Sequence, residues 1–452
     1  MKLKPVAAAL LGAAMLAAAS GCDFSDFGRE DMLRPPKTMG DEAEIEKLIA
    51  ENAPGGYTLK YPKSGANRSA IVMHDLDGDD AEEAIAFFRD KNSSSGVHML
   101  VMYEEKSVWK TSDDFFTETT DVDCVDFADV NADGAQELLV GYATYTSGVN
   151  ILSAYTFSDG STKTIQSGQN YSAFYCGNLD SSGKSKVITL SLFSPENEAK
   201  ATLLEYDSKQ AALTEKAAAA LDPNIVSYKN VLFSELSDNT KGLVVDGELA
   251  SGELNTQVIY YNKQLKALRN PLYAEKTGNP TQRRSNVYSA DVGNDMKVEV
   301  PTVSTLPYSA QSGAFTAADQ VVWNRFSPSQ EALIPLQRTA ANYNYNYTIK
   351  IPEAWESGLF TVLLNEDGDE MRFREWSGGK AGAEVFVIRV FKIADWDQGK
   401  DVEGYSLINK DNRYAYTFRN HKTESALAIS DDEIKTAFSL ISGTSAANNS
   451  KN

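Results

Sequence analysis

From residue 57 onward the chain alternates short apolar runs with clusters of Gly, Asn, Asp and Ser. Runs such as 84–88 (AIAFF), 138–142 (LLVGY) and 187–190 (VITL) have strand length, and turn residues separate them. This pattern predicts many strands joined by tight turns. Ahead of them, residues 41–52 carry early acids and place Ile45, Leu48 and Ile49 at helical spacing, which predicts a short amphipathic helix.

The array repeats. An acidic loop precedes an apolar run at Asp75-Leu76-Asp77-Gly78-Asp79-Asp80-Ala81-Glu82-Glu83, and again at Asp129-Val130-Asn131-Ala132-Asp133-Gly134-Ala135-Gln136-Glu137. A third clear copy is Asp291-Val292-Gly293-Asn294-Asp295-Met296-Lys297-Val298-Glu299. Decayed copies start at Asn178, where Lys186 replaces the last acid, and near Glu235. In chain order these are loops one (75), two (129), three (178), four (235) and five (291), at steps of 54, 49, 57 and 56 residues. Each step holds about four short strands, a unit too small to bury its own faces, as in the blades of a β-propeller. The predicted fold is mainly β: a propeller of four-stranded blades over 57–340, then a small α+β domain over 341–442. Within 342–347 (NYNYNY), Tyr343, Tyr345 and Tyr347 are expected on one strand face, forming core. The five tryptophans lie mostly in apolar runs and are expected to pack inside.

The loops suggest chemistry. Ca²⁺ takes six to eight oxygen ligands. Alternating side-chain oxygens in a tight turn, closed by a carboxylate, supply them. The candidate ligands are Asp75, Asp77, Asp79 and Glu83 in loop one, and Asp129, Asn131, Asp133 and Glu137 in loop two. Asp291, Asp295 and Glu299 form a weaker set in loop five, where Gly293 takes the second ligand position. Asp80 stands where loop two has Gly134, a position needing left-handed backbone that Asp tolerates. Loop three is expected to hold no ion, Lys186 taking the metal's place. The expected role of the ions is stabilisation, since they bind only folded loops.

Composition and the N-terminus narrow the setting. The 452-residue chain holds 43 Lys+Arg against 63 Asp+Glu, a net charge of −20, the wrong sign for nucleic-acid binding. Lys2 and Lys4 precede a small-residue apolar run, 6–19, too short to span a bilayer. With Ala19-Ser20-Gly21-Cys22 it resembles a bacterial lipobox, so 1–21 is expected to be a signal peptide and Cys22 the lipidated residue. Residues 22–40 then form a tether, 41–56 the helix, and 443–452 a disordered tail. The protein is expected on the extracytoplasmic face of the cell membrane, held by its anchor. That compartment permits a Cys124–Cys176 disulfide, although their offset of roughly 10 Å along a strand favours two buried thiols. His74 borders loop one and is expected to be a turn-side histidine.

The loops and their spacing resemble the FG-GAP/VCBS-type repeats of integrin-like β-propellers. The stretch RSAIVMHDLDGDDAEEAIAFF and the segment YTIKIPEAW are similar to VCBS-repeat bacterial lipoproteins over about 30–345 and beyond. The resemblance implies Ca²⁺ between strands and a recognition surface for a protein or glycan partner. GxSxG, HExxH, P-loop and dinucleotide motifs do not occur, and the chain is expected to be non-catalytic. The alternative is a cell-envelope enzyme acting on polysaccharide.

Overall fold

A computed structural model describes residues 39–441, apart from 147, 180–181, 196, 275–277, 284–286 and 310–313. The signal peptide, Cys22, most of the tether, Asp180 and the tail lie outside the described residues. The chain is mainly β. Four sheets follow one another as antiparallel meanders, with strands in sequence order in the second, third and fourth. The second, for example, runs Asp121–Ala128, Glu137–Ala143, Asn150–Ser158 and Ser161–Tyr171.

The second strand of each sheet explains the stacking. Glu83–Asp90, Glu137–Ala143, Lys186–Ser191 and Lys241–Leu249 are buried on both faces over most of their length. A strand apolar on both faces needs a cover on each side. Ile85 and Phe87 pack toward the second sheet against Leu138 and Val140. Leu139, on the opposite face, packs with Val187 of the third sheet. Ile188 and Leu190 meet Leu243 and Val245 of the fourth, and Val244 meets Val300 of the fifth. Successive sheets therefore stack face to face in the blade arrangement of β-propellers. The outer face of the first sheet (Ala84, Ala86, Phe88, Leu100, Met102) is covered by Ile45 and Ile49 of the helix Met39–Asn52. The stack thus begins with a helix rather than another sheet.

The expected boundary at 340 does not hold. It falls inside the strand Ala332–Asn342, which pairs with Tyr347–Ile351 in the same fifth sheet as Val300–Thr305. Phe438–Leu440 adds the fifth sheet's last strand. A sixth sheet of six strands, spanning Phe360–Leu364 to Tyr414–Asn420 with Thr316–Ala317 on its edge, packs against it. Their shared core holds Tyr347, Ile349, Trp355, Phe373, Phe386 and Phe418. Residues 341–442 are therefore continuous with the stack, because their apolar strands find their partner face in the fifth sheet. The Tyr alternation also breaks: 343–346 form a turn, Tyr347 is fully buried, and Tyr343 is exposed. Trp109, Trp323 and Trp355 are buried, whereas Trp376 and Trp396 are half-buried.

One buried ion pair ties a long connection to the fourth sheet. Asp246 and Arg283, both side chains at 0 % exposure, meet at 3.0 Å. Asp246 Oδ1 also accepts from Thr256 and Ser289 hydroxyls, and Oδ2 from the Ser289 N–H at 2.7 Å. Removing one partner leaves the other charge buried and uncompensated. Asp246→Ala should lower unfolding stability by about 3–5 kcal/mol, measured by urea denaturation; a loss under about 1 kcal/mol would show that the pair is dispensable.

Candidate metal centre

The acidic loops occupy one structural position. Each turns the chain back on itself, so that the residue before it pairs antiparallel with the closing residue. The pairs are His74↔Glu83, Ala128↔Glu137, Gly177↔Lys186 and Ala290↔Glu299. In the fourth sheet the connection is shorter, closing at Glu235↔Lys241. The backbone repeats as well. The fourth and sixth loop residues are left-handed in each clear copy: Gly78 and Asp80, Ala132 and Gly134, Asn294 and Met296. Asp80 at φ 70° takes the place of Gly134, as the sequence predicts.

The first Asp of each loop caps this turn. Asp75 accepts from the N–H groups of Gly78 and Asp80, at 2.7 and 3.0 Å. Asp129 does the same for Ala132 and Gly134, and Asp291 for Asp295 and Met296. The closing glutamate then holds the loop from below. One carboxylate oxygen accepts the N–H of the second loop residue: Leu76 to Glu83 at 2.8 Å, Val130 to Glu137 at 2.8 Å and Val292 to Glu299 at 3.0 Å. All three glutamates are buried, at 4 %, 1 % and 0 % exposure. The other oxygen of each needs a partner, since a buried carboxylate without one is costly.

The loops meet that need differently. In loop two, Asn131 Nδ2 donates to Glu137 Oε1 (2.7 Å) and to Asp133 Oδ2 (2.8 Å). The Asp133 N–H donates to Asn131 Oδ1 at 2.7 Å, which fixes the amide orientation. The Asn131 amide thus joins the two carboxylates of the loop. In loop five, Arg325 Nη2 lies 2.5 Å from Glu299 Oε1 and 3.1 Å from Asp295 Oδ2. In loop three the acid itself is replaced by buried Lys186, paired with Glu205 at 3.4 Å.

Among the described residues, loop one shows no such donor. Asp75, Asp77 and Glu83 each offer an oxygen within 4.8 Å of the others. Asp77 Oδ1 is buried and has no hydrogen-bond partner. Burial pushes Glu83 up to about 7; the Leu76 N–H opposes this, and the charges of Asp77, Asp79 and Asp75 add to it. Asp77 is raised too, by burial and then by Asp79. Asp79 stays outside the cluster, its Oδ1 capping the Ala81 N–H at 2.8 Å. The other two expected ligand sets are met by donors from the protein itself. Asp129, Asn131, Asp133 and Glu137 form a set closed by an amide. Asp291, Asp295 and Glu299 are neutralised by Arg325, which lies on the strand Asp319–Ser327 and which loop spacing cannot reveal.

His74 couples the first two loops. Its ring stacks on Phe127 at 3.7 Å, and Nε2 lies 2.7 Å from Gln136 Oε1 of loop two. Cys124 and Cys176 are both free. Burial pushes the Cys124 thiol up to about 12 and raises Cys176 as well, so both are poor nucleophiles.

No family model and no curated protein matches the chain. Solved structures match loosely. A protein from Lactobacillus plantarum is 11 % identical over 71 % of this chain and 84 % of its own, at TM-score 0.29. Sqt1 from Chaetomium thermophilum is 9 % identical over 81 % and 98 %, at 0.31. The exotype rhamnogalacturonan lyase YesX is 9 % identical over 72 % and 84 %, at 0.28. The Dos1 propeller is also among them, at 0.27. At such scores the alignments transfer no site residue. They do correct one expectation, that of a non-catalytic chain. Besides YesX, the matches include an endo-1,5-α-L-arabinanase, an exo-β-1,3-galactanase and a putative 6-phosphogluconolactonase.

Glu83 and Glu137, also raised to about 7 by burial, make stability depend on pH. Their folded values lie above the ordinary 4.5, so the folded form binds protons more tightly. Their contribution is complete below about 4.5 and is lost as pH rises through 7. Melting temperature in chelator should therefore fall across that window, and Glu83→Gln should flatten the fall. A curve unchanged by Glu83→Gln would refute the assignment.

Proposed function

We propose that the chain is a membrane-anchored surface lipoprotein, lipidated at Cys22 and facing out of the cell, whose blades are stabilised by Ca²⁺ and present a surface to a protein or glycan partner. Loop one is the ion's place. The observation that carries this is Asp77 Oδ1, buried and unpartnered beside Asp75 and buried Glu83. The donor set is all oxygen, which suits a hard cation. Asp75, Asp77 and Glu83 would hold the ion, and its charge would offset the repulsion among them. The finer assignment to FG-GAP/VCBS repeats of a β-propeller belongs to the same reading, supported by eight-residue loops at one connection of successive sheets.

The partner surface is assigned to the end opposite the acidic loops. Antiparallel meanders put successive connections at alternate ends. Tyr145 (68 % exposed) and Phe193 (58 %) lie on the connections between second and third strands of neighbouring sheets. Ser172 links the two connections, donating to the Gly148 carbonyl at 2.6 Å and accepting the Leu192 N–H at 3.1 Å. Exposed aromatics on joined loops suit recognition of another surface.

Ca²⁺ should raise the melting temperature of chelator-treated protein. Asp77→Asn copies the amide of loop two, so it should keep the fold and abolish that response. The reciprocal Asn131→Asp should open a second responsive loop. Melting indifferent to both Ca²⁺ and chelator would reject the metal.

A further inference from the structure

A cleft lies where the sixth sheet meets the turn 343–346. The end of the strand Lys380–Lys392, the connection 365–369 and the residues that follow the helix Ile393–Asp397 enclose about 190 Å³ there. Tyr345, Asp369, Arg389, Lys392, Lys400 and Tyr414 are in its wall. The stretches that carry the wall, 342–347, 365–370, 387–401 and 411–416, are described throughout. The lining holds three basic side chains and three acidic ones, in a chain whose net charge is −20.

Two of these charges are held close together yet left free to bond. The half-buried Arg389 guanidinium rests on aromatic rings, its Cζ 4.8 Å from the centre of Phe391 and 5.9 Å from that of Tyr405. Its Nε lies 4.0 Å from Asp369 Oδ2 and 3.9 Å from Glu370 Oε1, beyond hydrogen-bond distance. Among the described residues that guanidinium finds no hydrogen-bond partner. Asp369 is fixed through Oδ1, which accepts from Asn365 Nδ2 at 2.6 Å. Its Oδ2 accepts no hydrogen bond from the described residues. Burial and then the charge of Asp369 push the Tyr345 hydroxyl up, so that ring stands beside the carboxylate. Tyr414 meets Tyr345 edge-on, at 5.2 Å between centres. Asp395 and Lys400 pair with each other at 3.4 Å, and Lys392 and Asp401 are exposed.

This arrangement selects its ligand by charge, spacing and size. A ligand of one sign meets a like charge in a wall that carries equal numbers of both. A guanidinium held by ring stacking keeps its planar fork of donors for a carboxylate. The carboxylate beside it, flanked by two tyrosine rings, suits an ammonium group. Groups 4.0 Å apart are reached together by a ligand whose opposite charges are adjacent, as they are on the α-carbon of an amino acid. The volume lies below the roughly 300 Å³ of pockets for larger small molecules, which favours one amino acid over a chain. We propose that the cleft binds a free α-amino acid, its carboxylate on the Arg389 guanidinium and its ammonium on Asp369 Oδ2 beside Tyr345 and Tyr414. The inference goes beyond the lipoprotein reading and needs neither the ion nor the partner surface.

The test is calorimetric titration of the full chain in detergent micelles with each common amino acid, in L and D form. At least one should bind. Its N-acetyl derivative lacks the ammonium and its carboxamide lacks the carboxylate. Each derivative should bind at least about tenfold more weakly than the parent, the loss expected for a hydrogen bond between charged groups. Arg389→Gln should weaken the parent by a similar factor and leave the carboxamide's affinity where it was. Asp369→Asn should do the same for the parent and the N-acetyl derivative. The derivatives are titrated on the unaltered chain, so they decide the question even where a variant fails to fold. The proposal is overturned if no amino acid binds, if either derivative binds as tightly as the parent, or if a folded Arg389→Gln variant weakens parent and carboxamide alike.

Discussion

A buried glutamate closing each of loops one, two and five sets the terms for the acidic end of this molecule. One of its oxygens holds the loop above by accepting a backbone N–H, at 2.8–3.0 Å in three loops. The other oxygen is then left in a low-dielectric setting and must meet positive charge or a donor. An amide meets it in loop two, a guanidinium in loop five, and in loop three a lysine replaces the acid. In loop one a second carboxylate faces it instead, and an oxygen of that carboxylate is left without a partner. Equivalent connections therefore differ in what meets the closing residue.

The rest of the architecture follows from double-sided burial. Second strands that are apolar on both faces can exist only between two covers, so each sheet recruits the next. Alternate residues of one strand serve different cores: Leu138 and Val140 face the first sheet, Leu139 the third. At the start of the stack an amphipathic helix supplies the missing cover with Ile45 and Ile49. Farther along, the fifth and sixth sheets close on each other around Tyr347, Trp355 and Phe373. The buried Asp246–Arg283 pair fastens the long connection between the fourth and fifth sheets. The two ends of the stack thus differ: short charged turns at one, connections with exposed aromatics at the other.

The sequence by itself determined the strands, their grouping into repeats, the helix ahead of them and the place of the acidic loops. These are local properties: turn residues, alternation and spacing act within a few positions of the chain. It also determined the left-handed backbone at Asp80, because an eight-residue loop with fixed ends leaves little choice. Which carboxylates meet a donor from the protein was decided by the tertiary structure. Arg325 reaches loop five from 26 residues beyond Glu299, and the amide of Asn131 is oriented only once the loop has closed. The continuity of residues 341–441 with the fifth sheet and the turn that separates Tyr345 from Tyr347 were likewise decided in three dimensions. Each depends on which distant surface comes to cover a given face, and that is a property of packing that no local spacing encodes.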